Sequence, residues 1–274
     1  MADKTVFTVL GAMAAVVGVS AGAFISFASA GVNETEAMAA PIPKPGPRLE
    51  GPGPFHETFD SYNKKLWRIS DGWRNGDWTV NDWRRSQAKI DGELTLKLDK
   101  NKTDIAEFSG GEIQTHKKYG HGYFETRMQA AKAPGSVSAF FTYTGPPFKD
   151  LWNEIDVEIL GNKPREVMFT YFTDGEKREH IHQLPFDTTE GMHTYAFDWQ
   201  PGHLRWYVDG EMVHEASAAE LPLPRSQQKI MASLWASTTL DEWVGRFDPE
   251  ALPSSAKISC ITYAKDYASR IPCE

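Results

Sequence analysis

Residues 151–160 read Leu-Trp-Asn-Glu-Ile-Asp-Val-Glu-Ile-Leu, so that Glu154, Asp156 and Glu158 alternate with Ile155, Val157 and Ile159. On a β-strand, successive side chains point to opposite faces, which gives this segment one apolar face and one row of carboxylates. Like charges set so close repel one another, and folding gains nothing from aligning them. The chemistry such a row suits is general acid catalysis beside nucleophilic or base catalysis, as in cleaving a glycosidic bond: one carboxylic acid protonates the leaving oxygen and a second carboxylate attacks from the other side. Retaining enzymes hold the two carboxyls about 5–5.5 Å apart. Glu154 and Glu158 lie roughly 13 Å apart between α-carbons at the usual strand rise, a gap that long side chains on a concave strand can close. Asp156 between them would bond one partner and separate their protonation. Two other uses fit the same alternation: a solvated strand face, and a calcium ion held by three oxygens.

The elements that must position this row are also strands. Leu94, Leu96 and Leu98 alternate with Thr95 and Lys97, and further strands are expected at Tyr123–Met128, Ser136–Tyr143, Val167–Phe172, Ile230–Trp235 and Lys257–Tyr263. His193–Trp199, Leu204–Val208 and Glu211–His214 follow one another across Pro201-Gly202 and Asp209-Gly210, the pattern of a meander. Many short strands without alternating helices predict an antiparallel sandwich or jelly roll.

Composition narrows the partner. The chain has 274 residues and a net charge of −8, which disfavours nucleic acid and anionic membranes as partners. Nine Trp, nine Tyr and fifteen Phe suit a cleft where sugar rings stack, although most of these rings must be core. Thr5 to Asn33 carries no charge and ends its apolar part in Ala28-Ser29-Ala30, so residues 1–30 are expected to be a secretory signal peptide, with an uncleaved anchor as the alternative. Export predicts a secreted or periplasmic protein without stable membrane association after cleavage. Residues 31–54, rich in Pro and Gly, are expected to be a linker, and residues 55–274 a single catalytic domain. Cys260 and Cys273, the only cysteines, can pair as a staple of the C-terminal tail in an oxidising compartment, and two thiols do not make a structural zinc site.

Glu154-Ile155-Asp156-Val157-Glu158 resembles the signature of glycoside hydrolase family 16, the group of laminarinases and lichenases. Gly110–Thr115, Tyr119–Glu125, Ser138–Pro146, His193–Gly202 and Trp206–Gly210 resemble bacterial lichenases in the same order, so the resemblance spans Phe55 to Tyr263. It implies an all-β, concanavalin A-like jelly-roll sandwich of two antiparallel sheets with a concave substrate cleft. It further implies an endo-acting, retaining β-1,3(4)-glucanase, expected as a monomer acting on a polysaccharide. By the same resemblance Glu154 is the nucleophile, Asp156 its assistant and Glu158 the general acid/base. Trp152, Phe141, Tyr143, Phe172, Trp235 and Trp243 would contact sugar rings, and Glu112, Gln114, Thr170 and Ser233 would face their hydroxyls.

Three of these positions depart from the lichenase pattern: Gln114 stands where Arg is usual, and Thr170 and Ser233 where Asn is usual. Shortened polar side chains change which sugar is accepted, so the linkage is left open. Ser70-Asp71-Gly72-Trp73, Asn75-Gly76-Asp77, Leu234-Trp235 and Trp243-Val244-Gly245, with a cysteine near the C-terminus, are similar to endoglycanases that trim bacterial exopolysaccharides such as succinoglycan. A non-catalytic carbohydrate-binding jelly roll is the third reading. No cofactor is required. Relatives often hold a structural calcium with an Asp where this chain has Ser259, which leaves calcium as an open expectation.

Overall fold

The computed structural model describes residues 46–274, so the expected signal peptide and the first part of the linker lie outside the described residues. The expected strands form, each extending one to four residues beyond its hydrophobic pattern, and all belong to one 16-stranded arrangement. The chain path folds it into two layers. One layer runs in the order Glu176–Gln183, Glu166–Thr173, Asn153–Leu160, Ser136–Thr144, Lys229–Ala236 and Phe108–Thr115. The other carries Leu94–Asp99, Ser254–Ala264, Gly122–Gln129, His193–Gln200, His203–Val208 and Glu211–Ser217.

Alternation explains why the layers stack. From the first layer Ile155, Val157, Ile159, Phe140, Ile230, Ala232 and Phe169 point inward, and Phe124, Tyr195, Phe197, Trp199, Leu204 and Ile258 meet them from the second. These side chains are almost wholly removed from water, and at about 25 cal/mol per Å² of apolar surface their burial dominates the stability of the fold. The opposite face of the first layer therefore receives every second residue, including the three acids.

Phe108–Thr115 joins the layers, pairing with Lys229–Ala236 on one side and with Leu94–Asp99 on the other. Gly110 and Gly111 allow this: a Cβ on Gly111 would run into the Gln87 carbonyl, and one on Gly110 into the Asn81 amide and the Leu234 carbonyl.

Two findings differ from the expectations. The body starts before Phe55. Arg48 donates to Gln200 Oε1 at 2.7 Å, and Leu49 N donates to His121 Nδ1 at 2.7 Å while its side chain packs on the core. A single anchoring Arg-Leu pair inside a Pro/Gly-rich stretch leaves no periodic signal. The second is the strand Glu176–Gln183, whose charged residues gave no strand pattern. It is an edge strand, paired only with Glu166–Thr173, so neither of its faces has to be apolar. Cys260 and Cys273 form a disulfide with α-carbons 5.6 Å apart, tying the tail to the second layer.

Candidate active site

Register places the site residues in rows across the exposed face of the first layer. Glu154 pairs with Tyr143 on one side and Phe172 on the other. Asp156 pairs with Phe141 and Thr170, and Glu158 with Ala139 and Met168. One strand further, Phe141 meets Met231 and Ala139 meets Ser233, which pair in turn with Gln114 and Glu112. Directly paired residues share a face, so the strand alternation read from sequence brings these distant positions onto one surface.

The acids differ in their surroundings. Asp156 is 5% exposed, whereas Glu154 and Glu158 are partly open to solvent. Burial lifts Glu154 to about 8, the charge of Glu158 adding to the effect, and burial lifts Glu158 to about 7. Asp156 is pushed well above the usual carboxylate range by burial and then by the charges of Glu154 and Glu158. These values alone do not separate a nucleophile from an acid; the partners do. Glu154 accepts from Trp152 Nε1 at 2.5 Å and from Asp156, and both bonds favour its anion. Asp156, itself favoured in its protonated form, thus donates a bond that lowers Glu154 against the effect of burial. Glu158 has no hydrogen-bonding side chain among the described residues and faces Lys177 and Glu179. The hydrogen bonds from Trp152 and Asp156 favour the Glu154 anion, while Glu158 has no such donors and burial favours its protonated form, two environments of the kind that glycosidic cleavage uses.

The expected aromatic residues divide into contact surfaces and supports. Trp152 is half-buried and stacks on Phe172, with ring centroids 4.1 Å apart and planes at 15°. Phe172, expected to touch sugar, is 6% exposed and serves as the platform beneath Trp152. Trp235 is likewise 6% exposed. It packs edge-on to Trp78 at 5.1 Å and tilted to Trp243 at 5.8 Å, so Trp78 and Trp243 present the open ring surface instead. Phe141 and Tyr143 stay partly exposed on the face that carries the acids.

The polar positions form a buried chain. Ser70 Oγ donates to Glu112 at 2.5 Å, Gln114 Nε2 donates to Ser70 Oγ at 3.1 Å, and Lys229 Nζ donates to Gln114 Oε1 at 2.9 Å. Burial raises Glu112 to about 7, and burial lowers Lys229 to about 8. Glu112 is therefore bound into a network with Ser70 and Gln114. Thr170 Oγ1 is buried with no partner, beside Asp156, and Ser233 is 2% exposed. Sequence reading missed Ser70, Lys229, Lys177, Glu179, Met168 and Trp78. Ser70 lay inside a recognised motif, but Lys177 and Glu179 had no strand to carry them.

Calcium does not fit the position expected for it. Arg127 NH1 lies 3.4 Å from Ser259 Oγ, which puts a fixed positive charge where a cation would need carboxylate oxygens. His56, Cys260 and Cys273 are the one group with metal-binding side chains drawn together among the described residues, and both sulfurs are in the disulfide. Adding EDTA to the metal-free-buffer protein is expected to leave Tm unchanged, as read by differential scanning calorimetry; a fall of several degrees that calcium restores would show a site the geometry does not provide.

A sequence profile described as Glycosyl hydrolases family 16 matches residues 75–251. The beta-glucanase of Bacillus amyloliquefaciens is 41% identical over 197 residues, covering 72% of this chain and 81% of that protein. The beta-glucanase of Bacillus licheniformis is 38% identical over 214 residues, covering 78% and 86%. Among solved structures, a prokaryotic beta-1,3-1,4-glucanase (lichenase) derived from a mouse hindgut metagenome superposes with a TM-score of 0.74 at 38% identity, over 78% of this chain and 99% of that one.

Proposed function

The chain belongs to glycosyl hydrolases family 16, and on that premise we propose that it is an endo-acting glucanase that cleaves β-1,3-1,4 glucan with retention of configuration. One observation carries this reading: Glu154, Asp156 and Glu158 rise from a single face of one strand, walled by Trp152, Tyr143 and Phe141. A binding protein without catalysis would gain nothing from three mutually raised carboxyls. In the reaction the Glu154 oxygen attacks the anomeric carbon while Glu158 gives its proton to the departing oxygen. A water activated by Glu158 then releases the sugar from Glu154.

The two beta-glucanases support a β-glucan as substrate, and the similar beta-1,3-1,4-glucanase structure supports a mixed-linkage one. Gln114, Thr170 and Ser233 favour a second reading, an exopolysaccharide backbone with different hydroxyl contacts, because the unpartnered Thr170 Oγ1 waits for a hydrogen bond that a glucan-specific Asn would make differently. Export fits both readings: residues 5–33 are uncharged, and the Cys260–Cys273 bond persists in oxidising compartments.

Reducing ends released from lichenan, laminarin, curdlan, agarose and succinoglycan test the proposal. The expected result is release from lichenan with products several sugars long. Activity confined to succinoglycan would establish the second reading, and binding without release from any polymer would refute hydrolysis.

A further inference from the structure

The edge strand Glu176–Gln183 continues the rows of the acid strand. Lys177 pairs with Phe172 in the row of Glu154, and Glu179 pairs with Thr170 in the row of Asp156, so both rise from the cleft face. Lys177 Nζ lies 2.5 Å from Glu179 Oε2 and 5.7 Å from the centre of the Trp243 ring. Trp243 is held in turn: its Nε1 is 3.3 Å from the sulfur of Met168, the residue paired directly with Glu158. As an ion pair with its side chains 36% and 49% exposed, this one adds little to stability. Its place on the cleft face, two strands from the acids and against the Trp243 ring, gives it another use.

We propose that Lys177 and Glu179 are a positioning pair that governs proton release from Glu158. This rests on the glycosidase reading of the same site. The groups facing Glu158 can be named from each neighbouring element. Its own strand supplies Glu154 and Asp156. Ala139 and Phe141 on one side, and Met168 and Thr170 on the other, do not titrate. The edge strand supplies Ile181 in the row of Glu158, which does not titrate, and Glu179 and Lys177 in the next two rows, while the short helix Asp241–Val244 supplies the neutral Trp243 ring. Lys177 is thus the cation acting on Glu158 and on Asp156, and Glu179 is its counterweight.

The chemistry gives such a pair a task. As the bond between Glu154 and the anomeric carbon forms, the bond to the leaving oxygen breaks and the Glu158 proton moves to that oxygen. Negative charge disappears from Glu154 as an ester forms and reappears on Glu158 as a carboxylate. An ammonium held on the cleft face by Glu179 and Trp243, and acting on Glu158 by its charge, favours the second state. Glu179 opposes it enough that Glu158 is still protonated when substrate arrives, and the Trp243 ring limits where the ammonium can swing.

The test is a carboxyl-carbon NMR titration of Glu158 in the free protein, with the pH profile of kcat/KM on lichenan measured alongside, for K177M, E179Q and K177R. The Glu158 midpoint and the basic limb are expected to rise by about 0.5–1 pH unit in K177M and to fall by about as much in E179Q. K177R restores the wild-type positions. Unmoved midpoints, or shifts of the same sign in both variants, would overturn the proposal, even if both variants turned over more slowly. The titration needs no turnover, so a wild-type protein inactive on every glucan would refute the functional reading while the midpoints still decide this one.

Discussion

Replacing Glu154 by alanine is expected to lower kcat on the glucan substrate by roughly 10³- to 10⁵-fold, the scale on which losing a nucleophile costs turnover. The fold should survive. Glu154 points into the cleft, and the inward side of its strand is carried by Ile155, Val157 and Ile159, each 0% exposed. Removing the side chain also frees the space from which the attack comes. Azide added with an activated aryl glucoside should therefore restore release of the aryl group and yield a glycosyl azide of inverted configuration. The matching Glu158→Ala variant would still form the ester with an activated leaving group, and azide would then intercept it to give the azide of retained configuration. Product anomers measured by NMR separate the two roles. Interchanged anomers would interchange the assignments of Glu154 and Glu158, and wild-type turnover in Glu154→Ala would remove the nucleophile from this strand altogether.

The second large effect is expected in Glu158→Gln, which should slow polymer hydrolysis about 10²- to 10⁴-fold, as loss of a general acid does, while making the protein more stable. Burial raises the folded-state value of Glu158 to about 7 from its ordinary 4.5. The folded protein therefore binds this proton more tightly than the unfolded chain. That contribution to stability is complete below about pH 4.5 and is lost as pH climbs through 7. At pH 8 the native state holds a charge that folding disfavours, and a neutral glutamine does not. With allowance for the solvent reaching this side chain, the gain is about 1–2 kcal/mol, or about 3–6 °C in Tm for a domain of this size. At pH 4 the two proteins should melt together. Calorimetry at the two pH values checks this, and a variant less stable than wild type at pH 8 would show that the Glu158 charge is compensated in a way the cleft geometry lacks.

How much of this could be read beforehand follows from where the signals lay. The acid strand was legible because a two-residue period in Glu154–Ile159 cannot be kept without fixing which face is buried, and the neighbouring strands at Ser136–Thr144 and Lys229–Ala236 carry the same period. Once they pair, Tyr143, Phe141, Ser233 and Glu112 fall beside the acids. What could not be read depends on depth and on edges. Phe172 and Trp235 have the right type and the right face, but packing under Trp152 and against Trp78 takes their surfaces away from substrate. Lys177 and Glu179 sit on a strand whose only neighbour satisfies one side of its backbone, so nothing in its composition marks it as a strand. Lys229 reaches Gln114 across 115 positions of sequence, a distance over which no local pattern operates.

On the proposed mechanism Glu154 and Glu158 act on opposite sides of the bond through a glycosyl-enzyme ester. Proton NMR of the anomeric signal during the first minutes of oligosaccharide cleavage, before the reducing end equilibrates, tests it most directly. The β-anomer is expected to accumulate first, the α-anomer appearing only by mutarotation; an α-anomer formed first would mean a single displacement by water and would remove the nucleophilic role from Glu154.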